Sequence, residues 1–145
     1  MRKFEKVSYN DTGIIPTRSD TRSAGYDIYT PVKLVIPPHS DVKFESNIKA
    51  TMEPDEVLFL FVRSSMGIKK NLMLKNLTGV IDSSYYNNPS NEGNIICAIH
   101  NYGDTEQVIE AGDRVVQGVF MKYLITDDDD TQNTERTGGI GSSGN

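Results

Sequence analysis

Short apolar runs separated by turn residues set the strongest limit on what this chain can fold into. Four such runs, at residues 32–36, 57–62, 94–99 and 114–120, are rich in β-branched and aromatic side chains. Clusters of proline, glycine and asparagine lie between them, and apolar residues nowhere recur at helical spacing for three turns. The pattern predicts an all-β sandwich or barrel with at most one short helix, at residues 64–70.

The length of 145 residues suits one domain followed by a tail. We predict a β-sandwich catalytic domain over residues 1–125. Residues 126–145 differ in composition, because an acidic run at 127–130 is followed by a stretch of glycine and serine. Such a segment buries little apolar surface, so we expect a flexible linker and a glycine-rich lid.

Charge and cysteine content exclude several classes of protein. A net charge of −5 argues against a polynucleotide-binding protein, although a few arginines could still hold a small anion. No apolar run approaches the roughly 20 residues of a membrane helix, and the N-terminus does not resemble a secretory signal. Because Cys97 is the single cysteine, a disulfide framework is excluded. We therefore expect a cytoplasmic protein with no membrane association and no direct nucleic-acid contact.

Two familiar phosphate-binding motifs are absent. Gly139, Gly141 and Gly144 match the spacing G-x-G-x-x-G, but the chain ends where the dinucleotide fingerprint requires a helix. No glycine is followed by lysine and then serine or threonine, so there is no Walker A loop.

Five other segments contain the remaining candidate catalytic and binding residues. They are Ala-Gly-Tyr-Asp-Ile-Tyr at 24–29, Val-Arg-Ser-Ser-Met-Gly at 62–67, Gly-Val-Ile-Asp-Ser-Ser-Tyr at 79–85, Gly-Asp-Arg-Val-Val-Gln at 112–117, and the tail from residue 136. Each alone is typical of an ordinary turn, cap or strand end. In this order, from about residue 23 to residue 144, they resemble the five motifs of the trimeric deoxyuridine triphosphatases (dUTPases).

The resemblance implies a fold, an assembly and a reaction. The family fold is a distorted jelly-roll β-sandwich, and the active form is a homotrimer in which each site draws on three chains. The reaction is hydrolysis of dUTP to dUMP and pyrophosphate, which keeps uracil out of DNA and supplies dUMP for dTMP synthesis. The polar linker ahead of Arg136 could span up to roughly 30 Å to reach a neighbouring subunit.

Residue roles follow from the same resemblance. Asp82 would orient and deprotonate the attacking water, a task that suits a carboxylate, and Tyr85 would pack under the deoxyribose and exclude a 2′-hydroxyl. The remaining substrate-binding residues implied are Arg63, Ser64, Ser65, Asn76, Gly79, Gln117, Arg136, Gly139, Ile140, Gly141, Ser142 and Ser143.

The resemblance also implies a metal. Mg²⁺ would be carried by the triphosphate with mostly water ligands, and Asp27 would contact it through water. Arg114 is interpreted as structural, because arginines at strand entries often pair with nearby carboxylates.

Two positions depart from the family pattern. Ile140 replaces the aromatic residue that usually stacks on uracil, which gives up about 0.5–1.5 kcal/mol of ring contact. The hairpin at residues 86–93 is longer and more polar than usual, and the sequence does not say which of its residues read the base.

Other functions remain open at the level of sequence. A dCTP deaminase shares the fold and phosphate motifs but attacks cytosine, usually with a glutamate. A nucleotide-sensing regulatory module that has lost hydrolysis is a second alternative, and a regulatory protein partner is not excluded.

Overall fold

The computed structural model describes residues 1–131, 136 and 138–141. Within these residues the chain is mostly β-structure, with one short α-helix and one 3-10 turn. In chain order the elements are β1 (Lys3–Lys6), β2 (Tyr26–Tyr29), β3 (Leu34–Ile36), β4 (Asp41–Glu45), β5 (Ile48–Thr51), β6 (Glu56–Val62), α1 (Ser64–Lys70), β7 (Leu72–Leu74), β8 (Gly79–Asp82), the 3-10 turn (Ser83–Tyr85), β9 (Ile96–Asn101), β10 (Gln107–Ile109) and β11 (Arg114–Lys122).

The strands form antiparallel sheets around one apolar core. A four-stranded sheet has the order β2-β11-β6-β8, and a three-stranded sheet has the order β4-β9-β7. Two-stranded sheets, β1-β5 and β10-β3, accompany them. Leu58 and Val116 of the larger sheet and Leu72 and Ile99 of the smaller one are fully buried in the same core cluster. The predicted all-β class with a single short helix is confirmed.

The predicted apolar runs become strands with adjusted ends. Residues 57–62 and 114–120 lie in β6 and β11, which pair from Val116 opposite Val62 to Lys122 opposite Glu56. The run 32–36 forms strand only from Leu34, because the Thr30 hydroxyl donates to the Val32 carbonyl and closes a turn there. The run 94–99 enters its strand two residues late, at Ile96.

The helix predicted at residues 64–70 is confirmed as α1, and its place at the end of β6 positions one candidate motif. The Arg63 amide still donates to the Val115 carbonyl at 3.1 Å, so the sheet continues up to the residue before the helix. Met66 anchors the helix in the core, and Asn71 ends it in the left-handed conformation with φ of 55°.

Strand β11 ends at Lys122, and the next residue continues alongside the segment before β6. The Tyr123 amide donates to the Asp55 carbonyl at 3.1 Å, and its hydroxyl donates to the Pro54 carbonyl at 2.7 Å. The predicted boundary at residue 125 and the flexibility of the tail stay predictions, since much of the tail lies outside the described residues. In the described part of the chain, no helix has the length and apolar composition needed to cross a bilayer.

Candidate active site

A pocket of about 330 Å³ beside β8 and the 3-10 turn gathers much of the predicted site. The sequence-predicted residues that line it are Asn76, Gly79, Asp82, Tyr85, Arg136, Ile140 and Gly141. Sequence reasoning did not identify the apolar lining, which consists of Leu60, Leu74, Val80, Ile81, Ile96 and Cys97. An apolar lining with a few polar groups is typical of a site for a small molecule.

Asp82 stands at the mouth of this pocket. It is the last residue of β8, and its Cα lies opposite that of Val57 on β6. Its side chain is about half exposed, and Nη1 of Arg136 lies 3.4 Å from its Oδ2 atom. The sheet therefore fixes the backbone of this carboxylate while water retains access to the oxygens.

Tyr85 presents its ring to the pocket rather than its hydroxyl. The hydroxyl donates to the Asn94 carbonyl at 2.7 Å and accepts from Nδ2 of Asn91 at 2.9 Å. Burial raises the pKa of Tyr85, so the phenol stays neutral. The Arg136 guanidinium carbon lies 5.0 Å from the ring centroid, within the range of a cation–π contact.

Gly79 lets β8 approach β6 closely. A Cβ at this position would lie 2.8 Å from the Leu60 Cβ, a separation that side-chain atoms do not tolerate. Asn76 lies in the turn before β8, where the Thr78 amide donates to its carbonyl at 2.8 Å. Together they shape the side of the pocket formed by the turn and the strand.

The hairpin at residues 86–93 follows Tyr85 directly and is held by its own polar side chains. The Asn88 side chain donates to the Tyr85 carbonyl at 2.8 Å and accepts from the Ser90 amide at 3.0 Å. Asn87, Glu92 and Gly93 all adopt positive φ. The expectation of a hairpin is corrected in one respect: the segment is an ordered loop, because β8 and β9 on either side of it belong to different sheets and do not pair with each other.

The described tail residues lie against the pocket and the hairpin. Arg136 donates through Nε and Nη2 to the carbonyls of Gly138 and Gly139, at 2.8 and 2.7 Å. A Cβ on Gly139 would lie 2.8 Å from Oγ of Ser90, so this glycine allows a close approach to the hairpin. Ile140 is 72% exposed at the pocket rim. Ser142 and Ser143 lie outside the described residues.

A second cluster contains the other predicted residues. Asp27 is buried on β2, with Nε of Arg63 at 2.9 Å from Oδ1 and Nη1 of Arg114 at 3.6 Å from Oδ2. Gln117 lies opposite Asp27 in the register of β11 and β2. Ser64 and Ser65 follow Arg63 as the first residues of α1. Two arginines and the Ser19 hydroxyl, which donates to Oδ2 at 3.3 Å, therefore surround one buried carboxylate.

One chain does not bring the two clusters together. Asp82 pairs with Val57 near the start of β6, whereas Arg63 follows the end of the same strand. Six residues of extended chain separate these points by roughly 20 Å. A triphosphate reaching from Asp82 could not be held by the Arg63 of the same chain.

The described residues were also compared with the requirements of a metal site held by protein ligands alone. No group of three His, Cys, Asp or Glu side chains in the described ranges could hold a metal ion. Both oxygens of Asp27 face arginines and the residue is buried, so within this chain the carboxylate is already paired.

The buried thiol of Cys97 lines the pocket without offering a nucleophile. It is 2% exposed, and burial raises its pKa to about 12. A thiol of that pKa stays protonated at neutral pH, so Cys97 contributes shape to the pocket rather than chemistry.

Comparisons with known proteins find a family model and relatives that agree with each other. The dUTPase family model matches residues 11–144. A deoxyuridine 5′-triphosphate nucleotidohydrolase of Lactococcus lactis subsp. lactis (strain IL1403) is 48% identical over 147 aligned residues, covering 99% of this chain and 98% of that protein.

Solved structures agree in fold. The crystal structure of dUTPase from Streptococcus mutans is 44% identical, with a TM-score of 0.80, and the match covers 86% of this chain and 98% of that one. The dUTPase from phage phi11 of S. aureus is 19% identical with a TM-score of 0.76, covering 93% of this chain and 98% of that chain, and indicates a shared fold alone.

Proposed function

The chain belongs to the dUTPase family, and from this premise we propose that it hydrolyses dUTP to dUMP and pyrophosphate by in-line attack of an activated water. The observation that carries the proposal is the pocket in which Asp82 meets the ring of Tyr85. Of the described residues that line it, Asp82 alone bears a carboxylate. This carboxylate supplies the general base that hydrolysis of a phosphoanhydride needs.

The proposed reaction begins with a water held by Asp82. The carboxylate accepts the proton as the water oxygen bonds to the α-phosphorus and the bond from that phosphorus to the bridging oxygen breaks. Pyrophosphate leaves with the electron pair of the broken bond. Positioning of the water and stabilisation of the developing charge provide the rate enhancement.

The position of Tyr85 supports a preference for a deoxyribose over a ribose in the substrate. Because Asn91 and Asn94 engage its hydroxyl, only the ring remains to contact the nucleotide. A flat ring against the sugar leaves no space for a 2′-hydroxyl, so we expect UTP to be a poor substrate.

The phosphate-binding residues are proposed to come from a neighbouring subunit of a homotrimer. The reason is the distance of roughly 20 Å along β6 between Val57, which pairs with Asp82, and Arg63. The register of the larger sheet places Phe61, Val80 and Met121 on one face, and all three are exposed. A second copy covering this apolar face would bring its own Arg63, Ser64, Ser65 and Gln117 toward Asp82.

The tail completes the proposed site as a lid. The guanidinium group of Arg136 and the backbone amides of the glycines after it would bind the terminal phosphates. Ile140 would cover the base. In the described chain Arg136 contacts its own pocket, and exchange of the tail between subunits is proposed from the family resemblance. We place Ser142 and Ser143 among the lid residues on the same ground.

Mg²⁺ is proposed to arrive on the triphosphate, with Asp27 reaching it through water. When bound, the ion offsets the negative charge of the substrate. We place the enzyme in the cytoplasm, where a free and buried Cys97 would stay reduced. There it would keep uracil out of DNA and supply dUMP for dTMP synthesis.

A release assay tests the proposal. The full chain is incubated with dUTP, dTTP, dCTP and UTP, with and without magnesium, while pyrophosphate and ammonia are measured. We expect pyrophosphate from dUTP with magnesium. Ammonia from dCTP would instead indicate the deaminase, and nucleotide binding without turnover would indicate a sensing module.

The substitution Asp82→Asn tests whether Asp82 is the general base. The amide keeps the shape of the side chain but accepts no proton, so turnover should fall by about 10²–10⁴ while binding of dUTP persists. Asp11→Asn, at an exposed turn, is the matched control and should retain full activity. Release at the wild-type rate by Asp82→Asn would remove Asp82 from this role.

A further inference from the structure

A β-bulge in β11 determines which face of the larger sheet Arg114 lies on. Gln117 lies opposite Asp27 of β2, and Arg114 lies opposite Tyr29. Three steps along β11 thus match two steps along β2, and the register shifts between Arg114 and Val116. Side chains alternate between the two faces of a regular strand, so residues three apart would lie on opposite faces. The extra residue of the bulge therefore brings Arg114 to the face that carries Asp27 and Gln117.

The two arginines beside Asp27 are held to different degrees. Nε of Arg63 lies 2.9 Å from Oδ1, within hydrogen-bond distance, and the Arg63 side chain is 24% exposed. Nη1 of Arg114 lies 3.6 Å from Oδ2, which is beyond that distance, and its side chain is 46% exposed. Oδ2 instead accepts from the Ser19 hydroxyl at 3.3 Å. The guanidinium group of Arg114 therefore keeps donors that another anion can reach.

The charges of this cluster do not cancel. Two guanidinium groups share one carboxylate, so Asp27, Arg63 and Arg114 together carry one positive charge in excess. The neutral side chains of Ser19 and Gln117 leave this balance unchanged. Without Arg114, the remaining pair of Asp27 and Arg63 would be neutral. A neutral pair attracts a polyanion weakly, whereas two arginines around one carboxylate attract it from a distance.

The backbone keeps the two arginines side by side, because the Arg63 amide donates to the carbonyl of Val115, the residue after Arg114, at 3.1 Å. We propose that Arg114 is a further phosphate-binding residue, which supplies the excess positive charge that draws the triphosphate to Arg63 and Gln117. The inference rests on the proposed dUTP hydrolysis. It goes beyond the structural role expected for Arg114, since the ion pair with Asp27 uses only part of the guanidinium group.

Substitutions that remove or keep the charge test this. The dissociation constants of an α,β-imido analogue of dUTP and of deoxyuridine, which has no phosphate, are measured for the full chain and its variants. In Arg114→Gln we expect the analogue to bind about tenfold more weakly and deoxyuridine to bind as it does in the wild type. Arg114→Lys, which keeps the charge, should bind the analogue within about threefold of the wild type.

The comparison of the two ligands separates a phosphate contact from a structural role. Arg114→Gln leaves Asp27 paired with Arg63, so the fold should persist, and a loss of folded protein would weaken the binding of both ligands alike. Lys43→Gln, at an exposed position of β4 in the other sheet, also removes one positive charge and should leave both affinities unchanged. An analogue affinity within about twofold of wild type in Arg114→Gln, or an equal loss for deoxyuridine, would overturn the inference.

The dependence of binding on salt provides a second readout. Because salt screens the attraction between charges, the affinity of the wild type for the analogue should fall more steeply with salt than that of Arg114→Gln. Equal slopes would contradict the role of Arg114. Failure of the wild type to hydrolyse dUTP would instead overturn the proposed function. The effect of Arg114 is measured by binding alone, so the two failures are distinguishable.

Discussion

Glu92 is held in its ionised form by neighbours rather than by burial. The hydroxyl and the backbone amide of Ser8, followed by the ammonium of Lys49, lower the pKa of Glu92 to about 2 from its usual 4.5. Three donors on one carboxylate favour the charged form. The folded chain therefore binds a proton at Glu92 less readily than the unfolded chain does.

This difference gives the stability contributed by Glu92 a definite pH window. Because the folded pKa is the lower one, the contribution is complete above about 4.5 and is lost as the pH falls toward about 2. We expect the Tm of wild type to exceed that of Glu92→Gln near neutral pH, with the gap closing over that range. Thermal unfolding of both proteins at matched pH values measures it.

The matched control is Glu106→Gln, at an exposed glutamate before β10, whose Tm difference from wild type should be small and independent of pH. A gap between wild type and Glu92→Gln that stays constant down to low pH would contradict the assignment of donors to Glu92.

At the scale of elements, the contact between the segment before β2 and strand β11 sets the place of Gln117. A Cβ on Gly25 would lie 2.4 Å from Oε1 and 3.2 Å from Cβ of Gln117. Glycine at this position is therefore explained by the side chain across from it. The Ala-Gly-Tyr-Asp motif thus shapes the cluster that contains Arg63 and Gln117 through its glycine as well as through Asp27.

Gly25→Ala should consequently act on substrate binding more than on folding. The end of the Gln117 side chain can move aside, so the Tm should change little. Losing one neutral hydrogen bond of about 1 kcal/mol to the phosphates should raise KM for dUTP about fivefold. Steady-state kinetics and thermal unfolding of the same preparation measure both quantities.

A double variant checks the route of this effect. If Gly25→Ala acts by displacing Gln117, then adding it to Gln117→Ala should raise KM no further. Additive effects on KM would show that Gly25 acts on the phosphates by another path.

Sequence patterns predicted some elements better than others, for physical reasons. β6 and β11 were predicted because long apolar runs signal strands that are buried over much of their length. β1 and β4 were not, since Lys3–Lys6 and Asp41–Glu45 carry charges at alternate or terminal positions and resemble loops. Their partners, β5 and β9, lie far away in the chain, and pairing with them is what makes these segments strands.

At the scale of the whole molecule, the order of motifs predicted the members of the site but not their distances. Asp82 and Tyr85 belong to one short segment, so their shared pocket follows from local structure. The contact between Ser8 and Glu92 could not be predicted, because the two residues are 84 apart in the chain and neither belongs to a motif. The distance of roughly 20 Å between Arg63 and Val57, the strand partner of Asp82, also follows only from the pairing of β8 with β6.

That separation predicts complementation between inactive subunits. Asp82→Asn and Arg63→Gln should each lower turnover about a hundredfold or more when expressed alone. In a mixed trimer, an intact Asp82 from one subunit meets an intact Arg63 from its neighbour at one of the three interfaces. Random assembly at equal amounts yields about three quarters mixed trimers, so about a quarter of wild-type activity should return. Pyrophosphate release from the co-expressed pair, compared with each variant alone, measures the recovery.

The control pair for this experiment carries both substitutions at the same position. Asp82→Asn co-expressed with Asp82→Ala leaves no interface with an intact base, so no activity should return whatever the assembly. Recovery with the first pair and none with the second would require that the base and the phosphate-binding arginine reach one substrate from different chains. If the first pair stayed as inactive as the control, a single chain would have to supply both groups across the length of β6, and the shared site would be wrong.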